Sequence, residues 1–305
     1  MQSPSAAIDL GTNTARLLIG ITDDRRDIRP VLLLRRITRL GGGFSREWGI
    51  SAEAMERSLA AMREFAGEIN RHGASRVRAV ATSAVRDAVN GRVFCDMIRR
   101  ESGIDLEVID GKSEGVLTLR GVLAGLNEKS DDLLVFDVGG GSTEYTFARG
   151  EKVLYTESLP LGVVRLTEGK TTIEAIEEKI MRELYNIHHS LAANGLLSNL
   201  GNCTLVGTAG TATTLAAISM KMTVYDYRLV NNYVLELDQI REIFSRLLPL
   251  SPEERLSVTG LEKGREDLII AGILITLKTM EVFGFKRLKV SDYGLLEGVL
   301  LTICS

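Results

Sequence analysis

Apolar residues in the first forty positions come in short runs, AAIDL, ARLLIGI and VLLLRRITRL, separated by GTNT and by the polar stretch TDDRRDIRP. Runs of this length bounded by turn residues predict three consecutive strands joined by tight connections. The period then changes. From Ser51, SAEAMERSLAAMREFAGEINRHG carries apolar residues three and four apart behind a capping serine, which predicts a helix ending at Gly73. A strand RVRAVAT, a helix near 90–102, a short strand LEVI and a helix from about 112 to 125 follow. Strands alternating with helices predict an α/β layered domain.

The second half repeats this plan. DLLVFDVGG is a continuous apolar strand, GSTEYTFARG and KVLYTESLPLG predict the next two, and helical pattern fills about 172–194. CTLVGTAG predicts another strand, 211–220 a helix and NYVLEL a strand, and the last third is helical apart from RLKVSD. Two corners match across the halves: AIDLGTNT at 7–14 and FDVGGGST at 136–143. Each reads strand, acid, glycine turn, hydroxyl-rich start of the next strand. With 305 residues, about twice a typical domain, the chain is expected to form two domains.

Charge narrows the partners. Thirty-seven Lys and Arg against 40 Asp and Glu give a net charge of −3, which argues against a broad basic nucleic-acid surface. Cys95, Cys203 and Cys304 lack a CxxC spacing and suit a reducing cytoplasm, the expected location. His72, His188 and His189 do not pair with cysteines at zinc-ligand spacing, so any metal should be hard and oxygen-liganded. The start MQSPSAAIDLG lacks the pattern of a signal peptide, and LIIAGILITL, between Asp267 and Lys278, predicts a buried helix and no membrane contact.

The corners carry the chemistry. A glycine-rich hairpin lets successive backbone N–H groups line one concavity, which binds an anion. Gly11, Thr12, Asn13 and Thr14 on one side, and Gly139, Gly140, Gly141, Ser142 and Thr143 on the other, add hydroxyl and amide donors suited to phosphate oxygens. The acids repel phosphate, so their use is to hold Mg²⁺ between them and it: Asp9 at one corner, Asp137 with Glu144 at the other. A third stretch, LVGTAGTATTLAAI at 205–218, leaves a strand for a helix, whose N-terminus attracts anions; Gly207, Thr208 and Gly210 lie there. It lacks the lysine of a GxxxxGK[ST] loop, which excludes a Walker-type site.

These loops, in this order, resemble the exopolyphosphatase and guanosine pentaphosphate phosphohydrolase (Ppx/GppA) family, a branch of the sugar kinase, heat-shock ATPase and actin superfamily. RLGGGFSREWGIS at 39–51, AVATSAVRDAVNG at 79–91, VIDGKSEGVLTLRGVLAGL at 108–126, LPLGVVRL at 159–166 and GREDLIIAGILI at 264–275 extend the resemblance along nearly the whole chain. It implies an α/β fold of two actin-like (ribonuclease H-like) domains with a cleft between them, domain I from 1–120 plus 288–305 and domain II from 121–287. It implies that Glu114 is the general base on the attacking water, that Arg86 stabilises the transferred phosphoryl group, and that Asp9, Asp137 and Glu144 surround Mg²⁺, with Mn²⁺ as substitute. Arg265, from GREDLI, is either a phosphate contact or a structural ion pair with Glu266, Asp267 or another acid of domain II.

The implied activity is hydrolysis of the terminal phosphate of inorganic polyphosphate by a short, two-domain member, with a homodimer as the implied assembly. Guanosine pentaphosphate is the alternative substrate, and a sensor that binds without cleaving is the non-catalytic alternative. A kinase or chaperone ATPase of the same superfamily would instead require a nucleotide. Basic residues at 23–27, 32–39 and Arg46 are either polyphosphate contacts or solvated faces. Two departures stand out: Glu114-Gly115-Val116 where the family reads EAR, and GLLEG with Leu296 where many members read GLREG.

Overall fold

The computed structural model describes residues 3–23, 27–45, 47–128, 132–170 and 172–303. Arg25, Arg26, Arg46 and Cys304 lie outside these residues. The chain forms two compact units, one of residues 1–124 with 293–305 and one of residues 125–292.

The first unit contains β1 (Ser5–Leu10), β2 (Thr14–Thr22), β3 (Ile28–Ile37), α1 (Ala52–Arg71), β4 (Arg76–Ala81), α2 (Ser83–Arg86), α3 (Gly91–Ser102), β5 (Leu106–Val108) and α4 (Gly111–Gly125). In the second are β6 (Asp132–Val138), β7 (Thr143–Arg149), β8 (Lys152–Leu159), α5 (Val163–Gly169), α6 (Ile173–Ala193), a 3₁₀ turn at Leu197–Asn202, β9 (Thr204–Thr208) and α7 (Ala209–Ser219). It continues through α8 (Tyr227–Val230), β10 (Val234–Glu236), α9 (Leu237–Leu247), α10 (Pro252–Arg255), α11 (Ile269–Phe283) and β11 (Arg287–Val290). The last helix, α12 (Leu295–Ile303), belongs to the first unit.

Both sheets share one core order. The first runs β3-β2-β1-β4-β5 and the second β10-β11-β9-β6-β7-β8. In each, three antiparallel strands are followed by parallel neighbours. β10 is an extra antiparallel edge strand. Pro30 is tolerated because β3 is an edge, where the missing N–H breaks no second ladder, and the register shifts beside it at Ile19/Gly20. The unit boundaries fall a few residues later than the sequence reading placed them: α4 runs on to Gly125, and Arg287–Val290 pairs with β9 and β10 instead of returning to the first unit.

Strand alternation sorts the cores. In the first unit Ala6, Ile8 and Leu10 face α1 and α3, while Ala7, Leu18 and Val80 face Leu117 of α4 and Leu296, Val299 and Leu300 of α12. Helices thus cover both faces. In the second unit Leu134, Phe136, Tyr145, Phe147, Leu205 and Leu288 share one core with residues of α6, α7, α9 and α11. LIIAGILITL lies in that core as the N-cap and first turns of α11, and among the described residues no helix is long and apolar enough to cross a membrane.

Candidate active site

The first corner is a tight hairpin. Gly11 N–H donates to the Thr14 carbonyl at 2.9 Å, and the register outward from that turn sets Asp9 opposite Arg16. Arg16 Nε and Nη2 donate to Asp9 Oδ2 at 3.2 and 3.0 Å. The stretch RLGGG wraps the corner: the N–H groups of Thr38 and Arg39 donate to the Asn13 carbonyl at 3.0 and 2.9 Å, and that of Gly41 to the Thr12 carbonyl at 2.8 Å. Thr12 Oγ1 lies 2.9 Å from Ser83 Oγ, which ties the corner to α2. The Asn13 side chain is buried, yet neither amide atom meets a hydrogen-bond partner among the described residues. A buried amide without protein partners is satisfied by water or by a ligand.

On the same unit, α2 carries Arg86 toward the start of α4. Arg86 Nη1 donates to the Ile109 carbonyl at 3.1 Å and to Glu114 Oε2 at 3.2 Å. Glu114 is 7% exposed in the first turn of α4, where the helix dipole favours a carboxylate. Asp110 caps that turn: its Oδ1 accepts the Ser113 N–H at 2.7 Å, and this bond holds the Asp110 carboxyl below the usual carboxylate range. The α4 helix is pinned against α12 at a contact of two glycines. A Cβ on Gly298 would lie 1.8 Å from the Leu117 carbonyl oxygen, and one on Gly121 would lie 1.9 Å from that of Gly294.

The second corner repeats the hairpin with different partners. Gly139 N–H donates to the Ser142 carbonyl at 3.0 Å, and the register sets Asp137 opposite Glu144. The carbonyls of Gly139 and Gly140 accept the first-turn N–H groups of α5, Val163 at 3.0 Å and Val164 and Arg165 at 2.9 and 3.2 Å. In a trans peptide the next N–H points opposite to the carbonyl, so the Gly140 and Gly141 N–H groups point away from α5. Thr143 Oγ1 is taken by the Leu161 carbonyl, so of the two hydroxyls read as phosphate donors this one is already committed. Ser158 Oγ donates to Glu144 Oε1 at 2.6 Å.

The third stretch bends sharply. Thr208, level with Asp137, ends β9, and Ala209 follows in the left-handed region with φ of 62°, strained for a residue with a Cβ. Arg265 makes an ion pair with an acid of its own unit: its Nε donates to Glu262 Oε2 at 3.2 Å, and its guanidinium leaves no room for a side chain on Gly210, in the first turn of α7. Gly207 has the core on its Cβ side, where a side chain would meet Leu288, Ala212 and Phe136. It is level with Phe136 on the core side, and its carbonyl accepts the Ser291 N–H at 2.9 Å.

Among the described residues no three His, Cys, Asp or Glu side chains converge as a metal-binding group. Asp137 and Glu144 pair within one hairpin, whereas Asp9 is held by Arg16. Two carboxylates, with Thr208 level with Asp137, are a donor set for a hard cation that keeps waters of its own. Burial pushes the Cys203 thiol up to about 12 and raises Cys95, so neither is an activated nucleophile. Arg36, in the basic run at 32–39, is paired with Glu64 of α1. Leu296 is fully buried against α4, while Val116 is exposed.

Arg16, Ser83, Asp110 and Ser158 were not singled out in the sequence. For Arg16 a signal existed: the tight turn at Gly11–Thr14 fixes which residue faces Asp9.

A phosphohydrolase built of two actin-like α/β domains is the class that this architecture defines. The chain matches the Ppx/GppA phosphatase family over residues 20–305 and belongs to it. It is 33% identical to exopolyphosphatase 2 of Mycobacterium tuberculosis over 98% of each chain. Among solved structures it is similar to a Ppx/GppA family member of Aquifex aeolicus, with a TM-score of 0.80, 33% identity and coverage of 98% of this chain and 97% of that one. It is also similar to an exopolyphosphatase from Cytophaga hutchinsonii, with a TM-score of 0.87, 28% identity and coverage of 99% and 97%.

Proposed function

We infer that this chain is an exopolyphosphatase that removes the terminal phosphate of inorganic polyphosphate with the help of a divalent cation. The observation that carries the reading is the Arg86–Glu114 pair: a buried carboxylate in the first turn of α4, held by a guanidinium at 3.2 Å. The name of the Mycobacterium tuberculosis relative supports polyphosphate as the substrate.

In this reading Glu114 accepts a proton from water as the water oxygen bonds to the terminal phosphorus. The bridging P–O bond breaks, orthophosphate is released, and the chain is shortened by one unit. Such a transfer needs positioning and charge stabilisation more than covalent chemistry from the protein. Arg86 orients Glu114 and adds positive charge beside the phosphoryl oxygens. The Asn13 amide supplies donors that lack partners among the described residues, and Gly140 and Gly141 supply backbone N–H groups directed away from α5. Asp137 and Glu144 would hold Mg²⁺ or Mn²⁺, whose charge neutralises phosphate oxygens. Asp9 takes a different part, holding Arg16 at the first corner.

The test is phosphate release by purified protein with Mg²⁺, offering long polyphosphate, guanosine pentaphosphate and ATP in parallel. Release from polyphosphate that falls about 10²–10⁴-fold in Glu114→Gln is the expected result. Faster release from guanosine pentaphosphate would replace polyphosphate as substrate, and binding without cleavage of either would make the chain a sensor.

A further inference from the structure

Ser158 lies beside the second corner, and the proposed reaction gives it no part. It sits near the end of β8, directly opposite Glu144. Glu144 is opposite Asp137, and Asp137 is level with Thr208. One row across four strands therefore carries Ser, Glu, Asp and Thr, and side chains level with one another across a sheet share a face. The equivalent row of the first sheet, Arg35, Arg16, Asp9 and Val80, has cations beside its acid.

Two like charges directly opposite on neighbouring strands repel, and both Asp137 and Glu144 are buried. No residue equivalent to Arg16 offsets them within the row. Ser158 is the row's polar neighbour on the far side of Glu144, and its hydroxyl has one proton, which goes to Glu144 Oε1 at 2.6 Å. The terminal torsion of a glutamate is broad and nearly two-fold, so an untethered carboxylate samples many orientations. A hydrogen bond to one named oxygen removes that freedom. The same bond adds no charge of its own, so it leaves the attraction for a cation intact, which a lysine or arginine at this position would not.

We propose that Ser158 is a positioning residue that presets the Glu144 carboxylate for a divalent cation shared with Asp137. The proposal rests on the reading that Asp137 and Glu144 bind that cation. Outer partners of ligating carboxylates typically change metal affinity about 10–100-fold when removed.

The experiment is Mn²⁺ titration of the full chain, following free Mn²⁺ by electron paramagnetic resonance, for the parent, Ser158→Ala, Ser158→Thr and Glu144→Gln. Circular dichroism of each apo protein checks folding. Ser158→Ala is expected to weaken Mn²⁺ binding about 10–100-fold, and the Mg²⁺ concentration for half-maximal phosphate release to rise by a similar factor. Ser158→Thr, which keeps the hydroxyl on a β-branched side chain suited to a strand, is expected to restore binding to within about threefold of the parent. If the alanine variant fails to fold, Ser158→Cys, similar in size and a weak donor, takes its place. Mn²⁺ affinity unchanged in Ser158→Ala while Glu144→Gln has lost it would overturn the positioning role and leave the metal reading standing. Unchanged affinity in Glu144→Gln as well would overturn the metal reading itself.

Discussion

The two corners are built on one hairpin and end in opposite electrostatics. In each, a glycine N–H closes the turn and an acid sits two residues before it. Across the ladder from Asp9 stands Arg16, and across from Asp137 stands Glu144. The first acid faces a cation across the ladder; the second faces another acid. The supports differ too. Asp9 lies on the face that α4 and α12 cover, while Asp137 lies on the face away from the core that α6, α7, α9 and α11 share. Duplicated backbone thus does not imply duplicated chemistry: the residue one strand over decides whether a corner suits a cation or an anion.

The largest effect should come from removing the acid of the second corner. Asp137→Asn is expected to lower phosphate release by about 10³-fold or more and to abolish Mn²⁺ binding, as loss of a charge that organises the transition state does. Asp9→Asn is expected to leave Mn²⁺ affinity within about twofold, because its carboxylate is engaged by Arg16. Equal loss of Mn²⁺ binding in both variants would dissolve the distinction between the corners.

Next in size is the support of the first corner. In Gly298→Ala the new Cβ would meet backbone, not a movable side-chain end, so α12 must shift from α4. A loss of about 1–3 kcal/mol in denaturant unfolding is expected, with phosphate release falling further than stability because Glu114 rides on α4. A wild-type melting curve would show that the glycine contact does not hold the helix.

Asp110→Ala removes the cap of α4 and is expected to cost about 1 kcal/mol at neutral pH. The Asp110 pKa is lowered in the folded state, so the stabilisation is present above the ordinary carboxylate value and is lost as pH falls through the lowered one. The stability gap between parent and variant should therefore stay constant from pH 8 to about 5 and close only at strongly acid pH. A gap that closes near neutrality would assign the effect to another group.

The smallest expected effect is a gain. Ala209→Gly relieves a left-handed residue at the second unit's strand-to-helix bend and should raise stability by about 0.5–1 kcal/mol. Isothermal denaturant unfolding measures it, and a loss would show that the bend carries no strain.

Much of the scaffold was legible. The capped helix from Ser51, the apolar α11 and the matched order of strands all follow from periodicity and turn residues. The partner of each corner acid was legible too, since a tight turn fixes the register of its own hairpin. Ser158 was not, because the β7–β8 ladder shifts register at Phe147/Ala148 and counting fails across a bulge. Short α2 and α5 escaped periodicity, which needs more than one or two turns to show. Gly207, read as lining a ligand, faces the core because strand alternation beyond the parallel pairing with β6 decides its side.

By itself the sequence determined what local physics can enforce: where strands and helices begin, the two glycine hairpins, and the acid at each corner. Only the tertiary structure decided that Arg86 reaches Glu114 across two elements, that Thr12 meets Ser83, that Arg265 lies over Gly210, and that α12 locks α4 through two glycines. Those contacts join segments far apart in the chain, and their geometry comes from sheet pairing and helix packing that no single stretch of residues encodes.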